Sequence, residues 1–309
     1  MKKLFASLCA ATMLSAVAPV AAAHAATIGI SMAYFDDNFL TSVRQAMKNE
    51  AAAKGATAQF EDAQGDIGKQ LSQIQNFIAQ HVDAIIVNTV DTSATPKMTR
   101  LAQAAKIPLI YVNRMPEDKV LPARVAFVGS DEHQAGKLEG DAIAALLHGK
   151  GNVVIMQGEL SNNSTVLRTQ GIVNAAKANP GMHIIQTQTA NWQRSAAIDL
   201  MNNWIVAGQK INAVASNNDE MALGAIIALQ QAHIDPKTVV IGGVDGTSDG
   251  LDAIAKGNLD VSVFQNAKGQ GKGAVDAALT LASGGTVKPM ILVPFELITK
   301  ENYKSFLNR

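Results

Sequence analysis

Carboxylates, carboxamides and guanidinium groups recur in this sequence directly after short runs rich in Ile and Val. Asp37 and Phe39 lie in the stretch Ala33–Leu40 that follows the first such run, and Asn88 opens Asn-Thr-Val-Asp91 after the third. Asn113-Arg114 follows the fourth. Further along come Arg168, Asn191-Trp192, Asn217-Asn218-Asp219-Glu220, Asp245-Gly246 and Gln265-Asn266. This set suits a neutral polyhydroxylated ligand. A hydroxyl both donates and accepts, so a carboxylate or amide can accept from it while an arginine fork donates to two neighbours. Each hydroxyl left unpaired in a dry site costs ~1–3 kcal/mol, which forces such a pocket to match nearly every polar atom. Phe39 and Trp192 are the rings available to cover the apolar C–H face of a cyclic polyol. Truncating Asp245 or Arg168 is expected to lower affinity by orders of magnitude with folding intact.

Ordinary structural roles are also open to these residues. Asp219 and Glu220 suit the capped first turn of a helix, and Asn218 suits a cap or a ligand contact equally. Asp245 before a glycine could close a turn, and Trp192 could belong to the core. Either arginine alone could be a surface charge. Joint placement at strand ends in both halves of the chain is what favours a binding site.

Reaction chemistry finds no comparable support. Gly269-x-Gly271-x-Gly273 with Lys272 lacks the hydroxyl residue and spacing of a phosphate-binding loop, and reads as a small-residue helix face. Asp245–Gly250 begins like a calcium loop, but position twelve is Lys256 rather than Glu. The histidines form no metal-binding pair, no Gly-x-Ser-x-Gly elbow occurs, and the one cysteine is Cys9. No cofactor, no metal and no enzymatic activity are expected.

Positioning these residues requires a repeated alternation of strands and helices. Thr27–Met32, Thr57–Glu61, Ala84–Asn88, Pro108–Asn113 and Val125–Val128 read as strands, nearly continuous in hydrophobicity as in a sheet buried on both faces. Between them, Asn38–Lys54, Asp66–Gln80, Thr92–Ala105 and His133–Leu147 carry apolar residues at helical spacing, with Asp66 as an N-cap. The pattern restarts with strands at Asn152–Met156, Met182–Thr189, Asn212–Ser216, Val239–Val244 and Val261–Gln265. Helices at Asn163–Ala178, Gln193–Ala207, Asp219–Gln231 and Ser248–Lys256 separate them. Ten strands exceed one compact doubly wound sheet, so two α/β lobes of parallel sheet are expected. A helix near Gly271–Leu281 and a strand at Ile291–Val293 close the chain. No Pro-, Gly- or Ser-rich linker divides the lobes, which suggests several close strands acting as a hinge. In such sheets ligands bind beyond the carboxyl ends of the strands, where the polar residues above fall.

The chain has 309 residues, with 26 Lys and Arg against 26 Asp and Glu. A balanced charge argues against nucleic acid as a partner. Met1-Lys2-Lys3, the uncharged stretch Leu4–Val20 and Ala23-His24-Ala25 read as an export signal cleaved after Ala25. A membrane anchor is disfavoured because the stretch is Ala-rich and broken by Pro19, with no basic cluster after it. Leu8 before Cys9 disfavours lipidation. The mature chain would lack cysteine and carry a net charge of 24 − 26 = −2.

On Asn217-Asn-Asp-Glu-Met-Ala-Leu-Gly224 and Gly243-Val-Asp-Gly-Thr-Ser-Asp-Gly250, the mature chain resembles the periplasmic sugar-binding proteins of ABC importers, of the ribose-binding type I group. Asn88–Asp91, Tyr111-Val-Asn-Arg114 and Phe264-Gln265 support the likeness. It implies two flavodoxin-like lobes joined by a three-strand hinge, the first spanning 27–129 plus 266–293 and the second 130–265 plus 294–309. Asp37, Phe39, Asn88 and Arg114 would line the site from the first lobe. Arg168, Trp192, Asn218, Asp245 and Gln265 would come from the second lobe and hinge. Asp37, Leu40, Trp192 and Val244 depart from the ribose-binding pattern, as does Asn113 before the arginine. Phe35-Asp-Asp-Asn-Phe-Leu40 and Thr189-Ala-Asn-Trp192 are similar to inositol- and rhizopine-binding members, which favours myo-inositol or an amino-inositol.

The resemblance implies a monomer in the periplasm that closes on its ligand and docks on an inner-membrane ABC permease. Ribose or another monosaccharide is the alternative ligand. The same closed form would also suit presentation to a chemotaxis or two-component receptor. A sugar-responsive repressor shares such lobes but needs a DNA-binding segment where the export signal stands. A secreted glycosidase would have to recruit Asp37 and Asp245 as its paired carboxylates.

Overall fold

The computed structural model of the chain describes residues 25–118 and 120–309. The export-signal reading of residues 1–25 falls outside these apart from Ala25. From the N-terminus the elements are β1 (Thr27–Met32), α1 (Asn38–Ala53), β2 (Thr57–Asp62), α2 (Ile67–Ala79), β3 (Ala84–Val87), α3 (Thr95–Ala104), β4 (Leu109–Asn113) and β5 (Val125–Gly129). There follow α4 (Glu132–Leu146), β6 (Lys150–Gln157), α5 (Asn163–Ala178), β7 (Gly181–Thr189), α6 (Arg194–Val206), β8 (Ala213–Ser216) and α7 (Asp219–Gln231). The chain ends with β9 (Val240–Asp245), α8 (Ser248–Lys256), β10 (Val261–Phe264), α9 (Ala267–Ala282), β11 (Met290–Leu292) and β12 (Glu296–Thr299).

Every residue of β3, β4 and β5 is buried, because helices cover both faces of the sheet they share. The first sheet runs β2-β1-β3-β4-β5-β11 and the second β7-β6-β8-β9-β10-β12. The two orders match, and each places a topological switch point between its first and third strands. On one face of the first sheet α1 and α9 bury Val43, Met47, Val275 and Leu281, and on the other Phe77 and Met98 cover it. The second sheet is enclosed in the same way, with Met201, Trp204 and Met221 on one face and Ile143 and Ile172 on the other. The two lobes expected from the sequence are the ones observed. The chain passes between the sheets three times, after Gly129, after Phe264 and after Leu292.

Departures from the sequence reading are local. The helix expected over Thr92–Ala105 opens as a 3-10 turn at Thr92–Ala94. α9 starts four residues earlier than expected because Asn266 caps it and its glycines are tolerated inside it. A Cβ on Gly271 would stand 2.6 Å from the Cβ of Ala46, so this stripe lets α9 lie close against α1. β12 went unread because it is four residues long with two apolar positions. It pairs antiparallel with β10 at the sheet edge, where one face meets solvent.

Candidate functional site

Strand ends from both lobes converge on one narrow space, which shares Asp37 and Trp192 with a larger cleft of about 580 Å³. Asp37, Phe39, Arg114, Arg168, Trp192, Asn218, Asp245 and Gln265 all line the narrow space, together with Leu40, Asn113, Asn162 and Ser164. Of the nine residues selected from the sequence only Asn88 fails to reach it, which corrects that assignment. Asn88 is fully buried, accepting from the Ala33 amide and donating to the Val112 carbonyl and Asn113 Oδ1. It ties the ends of β1, β3 and β4 together and thereby sets where Asn113 and Arg114 stand.

Helix caps fix several of the lining groups. Asp37 caps α1, its Oδ1 accepting from the Leu40 amide at 2.7 Å. Asn218 caps α7 through Met221 N and donates Nδ2 to the Trp192 carbonyl, so it serves both roles weighed for it at once. Asp219 stands with Glu220 in the capped first turn of α7, as read from the sequence. Its carboxylate is buried and accepts from Ser262 Oγ at 2.6 Å and Thr247 N at 2.8 Å, locking the turn that follows β9. That turn places Asp245 at φ 124°, a region that favours glycine, and aims its carboxylate into the cleft. Asn113, Asn191 and Trp192 also have positive φ. Such conformations persist only where surrounding structure holds them, and these four stand at or beside the cavity, while the other six positive-φ non-glycine residues among the described ones lie elsewhere.

Arg168 is the centre of the electrostatics. Its Nε and Nη2 grip the two Glu132 oxygens at 2.6 and 3.2 Å, Nη1 donates to the Asn217 carbonyl at 2.7 Å, and Nη2 reaches Gln265 Oε1 at 3.2 Å. Four of its five N–H groups are therefore spoken for, and Nη1 stands 3.8 Å from Asp245 Oδ1. The guanidinium also lies 5.6 Å from the Trp192 ring and 5.9 Å from that of Phe295. Burial works against its charge, but Glu132 and Asp245 outweigh burial and hold it above the ordinary arginine value. Burial pushes Asp245 well above the usual carboxylate range, with Arg168 opposing and Asp219 and Asp37 adding to the rise. Asp37 is raised for the same first reason.

Several polar groups remain without protein partners. Among the described residues the Asp245 carboxylate accepts no hydrogen bond within range, and the Gln265 Nε2 and Trp192 Nε1 donors have none. Buried polar groups are normally satisfied, so a cluster of free acceptors and donors around one cavity marks a place built for a polar ligand. The Trp192 indole lies flat against Gly158, where an added Cβ would come within 2.1 Å of the ring. Gly158→Val should push the indole into the cleft and weaken ligand binding about tenfold. Calorimetry, with indole fluorescence in a Trp204→Phe background to follow the ring, checks this.

Sequence reasoning missed Glu132, Glu159, Asn162 and Ser164. Glu132 looks like any acid in a helix first turn, and its pairing with Arg168 carries no sequence signal. Glu159, Asn162 and Ser164 follow β6, and reading that strand end as the others were read would have found them.

Two hinged α/β lobes with a polar cavity enclosed at their strand ends define a protein that engulfs a small molecule. The family model described as periplasmic binding protein domain matches residues 28–286, and the chain belongs to the periplasmic binding protein family. A Rhizobium meliloti protein named for rhizopine binding is 52% identical, over 99% of each chain. The ribose import binding protein of Bacillus subtilis is 30% identical over 89% of this chain and 88% of its own. An ABC transporter solute-binding protein from Bacillus halodurans, solved with myo-inositol bound, superimposes with a TM-score of 0.88 at 40% identity, over 92% of this chain and 97% of that one.

Proposed function

We propose that the chain is the periplasmic solute-binding component of an ABC importer, that it captures a cyclic polyol of the inositol class, and that it releases the ligand unchanged to a membrane permease. The observation that carries this reading is the convergence of Asp37, Arg114, Arg168, Asn218, Asp245 and Gln265, from strand ends of both lobes, on a cavity walled by the Trp192 indole. A ring with a hydroxyl on every carbon presents donors and acceptors around its whole edge and a thin apolar face, which this inventory matches. The similarity to a protein named for rhizopine binding and to one solved with myo-inositol supports an inositol or amino-inositol over ribose. Asp37 and Asp245 would give an amine on the ring two carboxylates to face. The lining groups serve as hydrogen-bond partners, and no activated nucleophile stands among them. Among the described residues no helix is long and apolar enough to cross a membrane, which fits an exported chain working beside its permease.

Titration calorimetry of the purified mature chain with myo-inositol, an amino-inositol and ribose tests the ligand class. Binding of the inositols well above ribose is expected. Asp245→Ala should weaken the preferred ligand by about 100-fold, since a ligand hydroxyl left unpaired in a dry site costs ~1–3 kcal/mol and the cavity left behind adds to the loss. Preference for ribose, or conversion of any of these compounds to a product, defeats the proposal.

A further inference from the structure

The segment Glu159–Asn163, running from the turn after β6 into the first residue of α5, reaches across from the second lobe to three separate strand ends of the first. Glu159 Oε1 accepts from the Tyr34 hydroxyl at 2.6 Å, and Oε2 stands 3.5 Å from Arg114 Nη2. The Ser161 carbonyl accepts from both the amide and the hydroxyl of Thr92, each at 3.1 Å. Asn163 Nδ2 donates to the Met115 carbonyl at 2.7 Å. Tyr34, Thr92 and Arg114-Met115 follow β1, β3 and β4 in turn.

The segment is itself braced. Thr165 Oγ1 donates to the Glu159 carbonyl at 2.7 Å, and Asn162 caps α5 through the Ser164 amide. It also adjoins the cavity, because Asn162 and Ser164 line it and Ser164 Oγ donates to the Glu132 oxygen that holds Arg168. Glu159 and Tyr34 line the larger cleft beside it together with Asp37 and Trp192, whereas Ser161 and Asn163 line neither space.

We infer that Glu159–Asn163 is a clasp that stabilises the closed arrangement of the lobes through direct lobe-to-lobe bonds, and that Glu159, Tyr34 and Asn163 set affinity through closure. Every bond of the clasp exists only when the lobes meet, so each adds to the closed state and nothing to the open one. Apparent affinity scales with the fraction of binding-competent protein, so loosening the clasp lowers affinity by the factor it removes from closure. The functional meaning of the clasp rests on the capture reading above, but its test does not.

A chain beginning at Ala26 contains no cysteine, which allows a closure reporter at a second lobe-to-lobe contact. Asn38 and Glu220 face each other there across the lobes, Nδ2 to Oε1 at 2.7 Å, and take no part in the clasp. With both replaced by cysteine, the rate of crosslinking by a short bis-maleimide in ligand-free protein reports how often the lobes close. In that background Glu159→Ala should slow crosslinking about tenfold and Asn163→Ala about threefold. Tyr34→Phe, which removes a single oxygen and leaves packing alone, should slow it about threefold. Where myo-inositol binds, its dissociation should quicken by the same factors. Crosslinking as fast as the parent's in all three variants, each shown folded by its melting curve, overturns the clasp. Slowed crosslinking with no binding of myo-inositol upholds the clasp and counts only against the choice of ligand.

Discussion

Arg168→Ala should lower the melting temperature by on the order of 10 °C and abolish ligand binding. The sequence alone suggests that this variant folds normally, but among the described residues the guanidinium is the only cation in hydrogen-bond contact with Glu132, which has no exposed surface. Removing one member of a buried, hydrogen-bonded pair leaves an uncompensated charge in a dry place and costs ~3–5 kcal/mol. At this chain length each kcal/mol corresponds to about 2–4 °C. Adding Glu132→Gln removes that charge and should restore much of the melting temperature without restoring binding. Calorimetric melting of both variants beside ligand titration separates the two losses. Equal melting temperatures for the single and double variants would show that the Glu132 charge is not what Arg168 neutralises. Asp245→Ala differs in kind, because no hydrogen bond among the described residues depends on that carboxylate, and it should lose affinity with little loss of fold.

The melting temperature should also fall as pH rises from about 4.5 to 8, opposite to the behaviour of a protein held by surface ion pairs. Burial pushes Glu139 up to about 8, with the Ser216 amide and Arg168 opposing, and pushes Asp219 up to about 6, with Ser262 and Thr247 opposing. Both carboxyls keep a proton in the folded chain at pH values where the unfolded chain has released it. Their contribution is full below the unfolded values and is lost as pH climbs through the folded ones. Each pKa unit corresponds to ~1.4 kcal/mol, so Glu139 alone contributes a few kcal/mol across this range. Glu139→Gln keeps an acceptor for the Ser216 amide, 2.8 Å away, and carries no ionisable group. Its melting curve should match the parent's near pH 5 and lie several degrees above it near pH 8. Parallel pH profiles for the two proteins would defeat the assignment.

Most of the fold was legible because buried parallel strands are continuous apolar runs and their helices keep a clear period. β12 was not, since a short edge strand with one wet face has little hydrophobicity to display. The cavity was legible to the extent that it obeys the strand-end rule. Asp37, Arg114 and Gln265 follow strands and Asp245 ends one, and their positions need no knowledge of side-chain direction. What stayed hidden were residues whose meaning depends on a partner far along the chain. Glu132 matters through Arg168, 36 residues on, and Glu159 through Tyr34, 125 residues back. Asn88 errs in the other direction: it sits at the right strand end, but its amide turns into the protein. A rule that names the strand end cannot tell a lining residue from the one behind it.

The order in which the chain visits its sheets also constrains its birth. α9, whose Ala274, Val275, Ala278 and Leu281 cover the same face as Val43 and Met47, is made only after the whole second sheet except β12 has been translated. A nascent chain stalled on the ribosome before Leu281 thus leaves part of one side of its first sheet wet, with α1 alone to cover it. Vectorial synthesis cannot finish the lobes one after the other.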